Sequence, residues 1–421
     1  MRNFTEILLK PRPIAPYRAI DSHSVGRIKK LAKKLKGRSI IHVNSAFKGG
    51  GVAELLKSQI PLEKGLGLNS RWLVLRAPAN FFEVTKKIHN LFQGQPGILT
   101  DKEKRTYLKF LTRAGSELSG IFKQSKNSAM FVIHDPQPLP LVEYLPDHAA
   151  VISRLHIDIS GPNRLILDFL RPFINKANRI VVSNKAFRLK GVASGKTLVS
   201  YPAIDPFIQK NNLLSSRAAG YVLKKLGVDT SRPIIAQVSR FDRWKDPLGV
   251  LQAYYLAKKH FPNLQLILVG SLRVEDDPEA REIYLQIKRQ IFADSDVFLI
   301  TEKSLSKADP DRVVNAVQSG VDIVIQKSLR EGFGLTVTEA MWKGKPVIGG
   351  NALGIKAQIK NNKEGLVVKN PEDCARGIVK LLRHPVLAKQ LGKNARQTAK
   401  KKFLMNRLLE DFLKLYAGLS S

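Results

Sequence analysis

Short unbroken apolar runs recur along the chain, each closed by glycine or polar residues and followed by a longer amphipathic segment. SIIHVNSA (39–46) runs into Gly49, Gly50 and Gly51 and then the amphipathic VAELLKSQIPLEKG. RWLVLRA (71–77), AMFVI (129–133), AAVISRL (149–155) and RIVVS (179–183) repeat the theme, and most of 81–125 has helical spacing. Continuous rather than alternating runs are expected for strands covered by helices on both faces. A second series follows Tyr201-Pro202: PIIAQVS (233–239), LQLILVG (264–270), VFLIT (297–301) and VDIVIQ (321–326). Helical segments at 246–260, 276–292 and 309–319 separate them, and helices run from about 370 to 419. Strands alternating with helices predict an α/β protein with doubly wound parallel sheets. Two series predict two Rossmann-like domains with a cleft between them. The segment 202–232, with its helix-like SSRAAGYVLKKLG, reads as the linker.

Composition narrows the class. The 421 residues are 43% apolar and 25% charged, which excludes collagen-like and disordered chains. The single cysteine, Cys374, excludes a disulfide framework and any multi-cysteine metal site, and fits a reducing compartment. No run of 18 uncharged apolar residues is present, and MRNFTEILLKPRPIAPY is broken too early by charge and proline to be a secretory signal. The expectation is a cytoplasmic protein. Lys and Arg number 70 against 35 acidic residues, a net charge of +35. Such charge favours polyanions, but Lys29, Lys30, Lys33, Lys34, Lys36, Lys86, Lys87, Lys224, Lys225 and Lys400–Lys402 form no single tail or arm. Dispersed charge reads first as a basic solvated surface.

In open parallel sheets ligands bind beyond the carboxyl ends of the strands. The residues there are distinctive. Lys48-Gly49-Gly50-Gly51 opens a helix, so it suits either close approach to a phosphate or a tight turn. His134-Asp135-Pro136-Gln137 and His156-Ile157-Asp158 follow two strands. Each reads alone as a turn-forming aspartate beside a spacer histidine, and the two together as recognition of sugar hydroxyls. Arg240 and Lys245 precede Asp246-Pro247, a helix N-cap and first position, and suit a diphosphate or plain surface pairing. Glu331 lies on a loop with Gly332 and Gly334, while Thr336 and Glu339 match a T-x-x-E capping box. Two glutamates eight apart can also grip two polyols. Asp294-Ser295-Asp296 reads as a strand-start turn rather than a metal clamp.

These residues resemble a known family. Glu331 and Glu339 with the glycine loop are similar to the E-x7-E element of retaining GT-B glycosyltransferases of the family four type. Arg240 and Lys245 match that superfamily's diphosphate-binding pair. GGGVAELL (49–56), HDPQPLPL (134–141), VSRFDRWKDPLGV (238–250) and SLREGFGLTVTEAMWKGKPVIGG (328–350) bring the resemblance closer to trehalose glycosyltransferring synthases and trehalose phosphorylases. FFEVTKKIHNLFQG (81–94) and RLHIDIS (154–160) also fit. The chain departs from the family pattern at Lys48, at Leu353-Gly354 and at Asn315-Ala316-Val317-Gln318-Ser319.

The resemblance implies a GT-B fold, with an acceptor-binding domain (1–201), a nucleotide-sugar-binding domain (202–402) and a C-terminal helix (403–421) packing back on the first. It implies that Glu331 binds donor-sugar hydroxyls and Glu339 the ribose. Arg240 and Lys245, with Gly332, Phe333, Gly334, Leu335 and Thr336, would hold the donor and its diphosphate. Gly50 and Gly51 would face the same phosphates, and His156 the reacting sugar. His134, Asp135, Gln137 and Asp158 would lie at the acceptor. His156, Arg240, Lys245 and Glu331 are thus the expected catalytic set. The implied reaction transfers glucose from UDP- or ADP-glucose to glucose, giving trehalose, with no prosthetic group and no essential metal. The expected partners are the nucleotide-sugar and small sugars, a second copy in a homodimer, and an anionic membrane face, with no specific nucleic acid. Alternative readings are a glycosyltransferase with a glycan or lipid acceptor, a trehalose phosphorylase, and a nucleic-acid-binding protein on an inactive scaffold.

Overall fold

The computed structural model describes residues 3–125, 128–270, 279–291, 294–301, 305 and 309–420. The chain divides into two compact units, Met1–Pro202 with Met405–Ser421, and Ala203–Leu404.

The first unit contains β1 (Phe4–Glu6), α1 (Ser22–Lys34), β2 (Ser39–Asn44), α2 (Gly51–Gly65), β3 (Asn69–Leu75), α3 (Ala79–Phe92) and α4 (Asp101–Gln124). It continues through β4 (Met130–His134), β5 (Ala150–Leu155), α5 (Arg164–Lys176), β6 (Arg179–Val182) and β7 (Thr197–Val199). The strands form one sheet in the order β1-β3-β2-β4-β5-β6-β7. Only the β1–β3 pair is antiparallel. Every residue of β2 and β4 is buried, which explains their continuous apolar pattern.

Three departures from the sequence pattern have simple causes. β1 and β7 are three-residue strands at the sheet edges, too short to carry a period. In α1, Val25, Ile28 and Ala32 share a buried face, and the lysine density on the other face masks their helical spacing. The helical stretch 81–125 is two helices, broken where Gly94 and Gly97 take φ of 91° and 132°. The second restarts on a capping box between Thr100 and Glu103.

The second unit contains α6 (Ser216–Lys225), β8 (Ile234–Val238), α7 (Pro247–Lys258), β9 (Gln265–Val269), α8 (Glu279–Gln290), β10 (Val297–Ile300) and α9 (Pro310–Gly320). It goes on to β11 (Ile323–Gln326), α10 (Leu335–Trp342), β12 (Val347–Gly350), α11 (Leu353–Lys356), β13 (Leu366–Val368), α12 (Pro371–Arg383) and α13 (Pro385–Lys402). α8 falls inside the helix expected at 276–292, whose positions 276–278 and 292 lie outside the described residues. The sheet is wholly parallel, in the order β10-β9-β8-β11-β12-β13. One face packs Ile235, Leu266, Ile325 and Ile348 against Val250 and Tyr254 of α7 and Cys374 and Ile378 of α12. β12 and β13 were not expected, because VIGG and LVV are short and the first ends in glycines.

The last helix, α14 (Met405–Ser420), belongs to the first unit, where it lies on α1. Arg27 Nε pairs with Glu410 at 2.9 Å and Ser200 Oγ donates to Asp411 at 2.8 Å.

Both sheets reverse their winding beside their first long parallel strand. In the first unit the switch lies between β2 and β4, and in the second between β8 and β11. Loops leaving the carboxyl ends of those strands form the natural binding crevice of each sheet. Among the described residues no helix is long and apolar enough to cross a membrane.

Candidate active site

In the second unit, the loops after β8 and β11 are tied together by their polar side chains. Asp242 caps the short helical turn Arg243–Lys245, accepting from Lys245 N at 3.1 Å, and its other oxygen holds Arg240 at 3.0 Å. Asp246 has φ of 51° and caps α7 by accepting from Gly249 N at 3.1 Å, as the Asp-Pro pair predicted. Gln237 Nε2 donates to Lys245 O at 2.8 Å. From the other loop, Leu329 N donates to Trp244 O at 2.8 Å, and Lys327 forms an ion pair with Asp246. Lys245 forms an ion pair with Glu331. The loops after β8 and β11 therefore bring Lys245 and Glu331 together at the switch point, with Arg240 held beside them through Asp242 and one-third exposed, while Lys327 is buried on Asp246.

Glycine geometry brings Glu331 to this place. Gly334 caps α10 with φ of 88°, a left-handed conformation that favours glycine. Gly354 N donates to Glu331 O at 3.1 Å, so closely that a Cβ on Gly354 would stand 2.4 Å from that oxygen. Gln358 ties the loop from behind: its amide donates to the carbonyls of Phe333, Gly334 (3.1 Å) and Gly354 (3.4 Å), and it accepts from Thr338 Oγ1 at 2.6 Å. Phe333 is buried edge-on against Phe403. Gly332 is buried, while Leu335 and Thr336 are partly exposed at the start of α10, where the first helical N–H groups lack carbonyl partners.

The capping box expected for Thr336 and Glu339 does not form. The helix starts on Gly334, so Thr336 is already its second residue, and its hydroxyl donates to Gln326 Oε1 at 3.2 Å. Glu339 is buried instead in a cation cluster, with Lys210 Nζ at 3.0 Å from one oxygen and Gln318 Nε2 at 3.0 Å from the other. Gln318 Oε1 accepts from Lys343 Nζ at 2.9 Å. Burial opposes the charge on Glu339, but Lys210 and Lys343 outweigh it and hold the carboxyl below its ordinary value. Burial brings Lys343 down to about 8.

In the first unit, Gly49 has φ of 78° and Gly50 caps α2 in an extended conformation. The turn thus needs glycine at 49. A Cβ on Gly50 would meet nothing within 4 Å, so packing does not require glycine there. Past β4, Asp135 takes φ of 63° and accepts from His156 N at 2.7 Å. Burial, against weaker opposing bonds and Arg154, pushes its carboxyl up to about 7. Asp158 forms a local turn, accepting from Ser160 N at 3.0 Å and Ser160 Oγ at 2.7 Å. Asp158 thus meets the simpler turn-forming expectation, while Asp135 instead ties its loop to the end of the neighbouring strand β5. Gln137 Oε1 is a buried acceptor with no partner among the described residues. His134 and His156 are joined, Nδ1 to Nε2, at 2.9 Å. Burial first, and neighbouring positive groups second, hold both imidazoles well below their ordinary values.

Asp294 and Asp296 bind Lys258, at 2.8 and 2.9 Å, in the turn that starts β10. Among the described residues no group of three His, Cys, Asp or Glu side chains could hold a metal ion.

Sequence reasoning missed Lys327, Gln358, Lys210, Gln318, His42 and Glu63. Only Lys327, at a strand end, and His42, a polar residue inside an apolar strand, carried a local signal.

Two Rossmann-like units in one chain, with the phosphate-type cations and E-x7-E glutamates in the second, define a GT-B glycosyltransferase. Residues 42–189 match the model of the trehalose synthase N-terminal domain, and residues 222–398 that of glycosyl transferases group 1. The chain is 38% identical to trehalose synthase of Pyrococcus horikoshii over 97% of both chains. Among solved structures, α,α-trehalose 6-phosphate synthase from Burkholderia multivorans superposes with a TM-score of 0.71 at 14% identity, covering 91% of this chain and all of that one. HepE of Anabaena, in complex with UDP-glucose, gives 0.68 at 17% identity over 90% and 99% of the two chains. The chain belongs to the trehalose synthase family and is a glycosyltransferase.

Proposed function

We propose that the enzyme transfers glucose from an NDP-glucose to the anomeric hydroxyl of a second glucose, with retention, giving α,α-1,1-linked trehalose. What supports this most is the pairing of Lys245 with Glu331 across two strand-end loops, with Arg240 held beside Lys245 through Asp242. Breaking the donor's glycosidic bond builds negative charge on the departing diphosphate. Cations and helix-start N–H groups aimed there act where charge develops. Arg240 supplies a planar fork, and Lys245 supplies a point charge. Phe333 anchors the loop; Gly332, Gly334, Leu335 and Thr336 offer backbone to the phosphates.

Glu331 binds the donor glucose hydroxyls and Glu339 the ribose diol. A carboxylate has roughly four lone-pair sites, so the Lys210 and Gln318 contacts leave Glu339 room for two hydroxyls. Gly50 and Gly51 let the α2 start approach the donor phosphates. His156 touches the reacting glucose. Asp135, Gln137, His134 and Asp158 shape the acceptor side, where the unpaired Gln137 oxygen calls for a hydroxyl donor. The donor's phosphate oxygen takes the proton of the attacking hydroxyl, and no protein nucleophile is needed. HepE carries UDP-glucose, the donor class proposed here.

The test is incubation with each NDP-glucose plus glucose, with the product identified by NMR. Trehalose and NDP in equal amounts are expected. Free glucose with NDP, or no turnover with any donor, rejects the reading.

A further inference from the structure

Four side chains of the first unit form a hydrogen-bonded line that ends at His156. Glu63 Oε2 lies 3.2 Å from His42 Nε2, His42 Nδ1 lies 3.1 Å from His134 Nε2, and His134 Nδ1 lies 2.9 Å from His156 Nε2. The sheet builds this line. His42 is in register with Val132, and Arg154 with His134, so each histidine stands two residues further along the next strand. A step of two keeps the same face of the sheet. The rings consequently lie edge to edge with planes 27° and 18° apart and centroids 5.4 and 5.2 Å apart. Glu63 receives further donors on its other oxygen, from Gln59 Nε2 at 2.8 Å and Tyr416 Oη at 3.2 Å.

Counting protons fixes what the outer end presents. The three contacts use one proton each, and three neutral imidazoles carry three. With that number, Glu63 is a bare buried carboxylate and His156 donates inward through Nε2. With one proton more, every bond reverses beyond His42, and the extra proton emerges on Nδ1 of His156. Glu63 and His42 have no exposed side-chain surface, so an uncompensated charge there is costly and an imidazolium–carboxylate pair is favoured. His42 is the ring that touches the Glu63 carboxylate, so a proton added to the line is paired with that charge at His42.

We propose that Glu63 and His42 are positioning residues whose buried ion pair fixes His156, through His134, as a neutral imidazole donating from Nδ1 to an oxygen of the reacting sugar. This rests on the reading that His156 touches that sugar. The other charged or titratable groups beside the line are Tyr416 at Glu63, Arg154 beside His134 and His156, and Asp135 under the His156 backbone.

The experiment is long-range ¹H–¹⁵N NMR of the full chain with ¹⁵N-labelled histidine, in the wild type and in Glu63→Gln and His42→Leu. In the wild-type chain His42 carries protons on both nitrogens, and His134 and His156 carry theirs on Nδ1. In Glu63→Gln the amide oxygen keeps the donors from Gln59 and Tyr416 and the NH2 turns to His42 Nε2, so His42 loses its second proton while His134 and His156 stay protonated on Nδ1. His42→Leu removes the donor to His134, lets the His156 proton spread to Nε2, and lowers kcat about 10- to 100-fold with little change in KM. A His156 proton on Nε2 in the wild-type chain overturns the proposal, whether or not the variants fold. So does a Glu63→Gln chain in which His42 keeps both protons, or a His42→Leu chain with the wild-type His156 proton position and wild-type kcat. Proton positions are read without substrate, so a wild-type chain that makes no trehalose yet shows this pattern rejects the proposed reaction and leaves the relay standing.

Discussion

Lys245 and Glu331 are ion-paired across a sequence separation of 86 residues. The pair joins the loop after β8 to the loop after β11, and so, in the proposed reaction, joins the group assigned to the leaving diphosphate to the group assigned to the sugar. Lys245→Ala removes a cation from the place where charge develops, and kcat is expected to fall by about 10²–10³. Glu331→Ala removes the sugar contact and abolishes transfer, with the circular dichroism spectrum unchanged. Because the two groups touch, their effects on stability are not additive. A double-mutant cycle by urea denaturation should give a coupling of about 0.5–3 kcal/mol. Zero coupling would mean the pair does not hold the loops together.

Two glycines separate structural from functional need. A Cβ at Gly354 would meet Glu331 O at 2.4 Å and Phe333 N at 2.6 Å, so Gly354→Ala must push the Glu331 loop aside. The expected result is a loss of about 1–3 kcal/mol in urea denaturation together with a large loss of kcat. Gly50→Ala meets open space, and its stability should stay within about 1 kcal/mol of wild type. If Gly50 admits the donor phosphates, that stable variant still loses donor affinity. Unchanged KM and kcat in Gly50→Ala would refute the phosphate role.

The strands around the two switch points were legible because buried parallel strands are continuous apolar runs ended by polar residues. SIIHVN and IIAQV needed nothing but their composition. Edge strands such as Phe4–Glu6 and Leu366–Val368 are set by the neighbour they pair with, which leaves no local mark. The polar strand-end loops were legible at Arg240, Lys245 and Glu331, whose residue types stand out directly after apolar runs. The site was not legible where a distant side chain supplies support. Nothing near Gln358 announces that its amide reaches two carbonyls of another loop. Glu339 failed for a different reason. A capping box is a local rule, and Gly334 moved the helix start so that the rule no longer applied.

Asp135 should make folding stability depend on pH. Its carboxyl lies at about 7 in the folded chain against an ordinary 3.8. Between those values the folded chain keeps a proton that the unfolded chain has lost. Stability from this group is therefore full below pH 4 and is lost as pH rises through 7. A difference of about three pH units corresponds to about 4 kcal/mol at most. His134 and His156 act in the opposite direction over part of this range, so the informative quantity is the difference from Asp135→Asn. Asparagine tolerates the left-handed backbone and still accepts from His156 N. In urea titrations Asp135→Asn should be more stable than wild type at pH 8, with the gain vanishing near pH 4. A gain that does not change with pH would disprove the assignment.

The ribose contact proposed for Glu339 and its part in stability must be measured apart. Its carboxylate is the counter-charge for Lys210 and, through Gln318, sits beside Lys343. Glu339→Ala leaves two buried cations without their anion, and removing one partner of a buried pair costs about 3–5 kcal/mol. A fall in donor affinity in that variant is therefore mixed with loss of fold. Adding Lys210→Met removes one of the orphaned charges and should recover part of the stability. It does not restore the ribose contact. Urea midpoints for Glu339→Ala and for the double variant, set beside donor KM at a temperature where both are folded, separate the effects. A double variant no more stable than Glu339→Ala would show that Lys210 is not the charge Glu339 compensates.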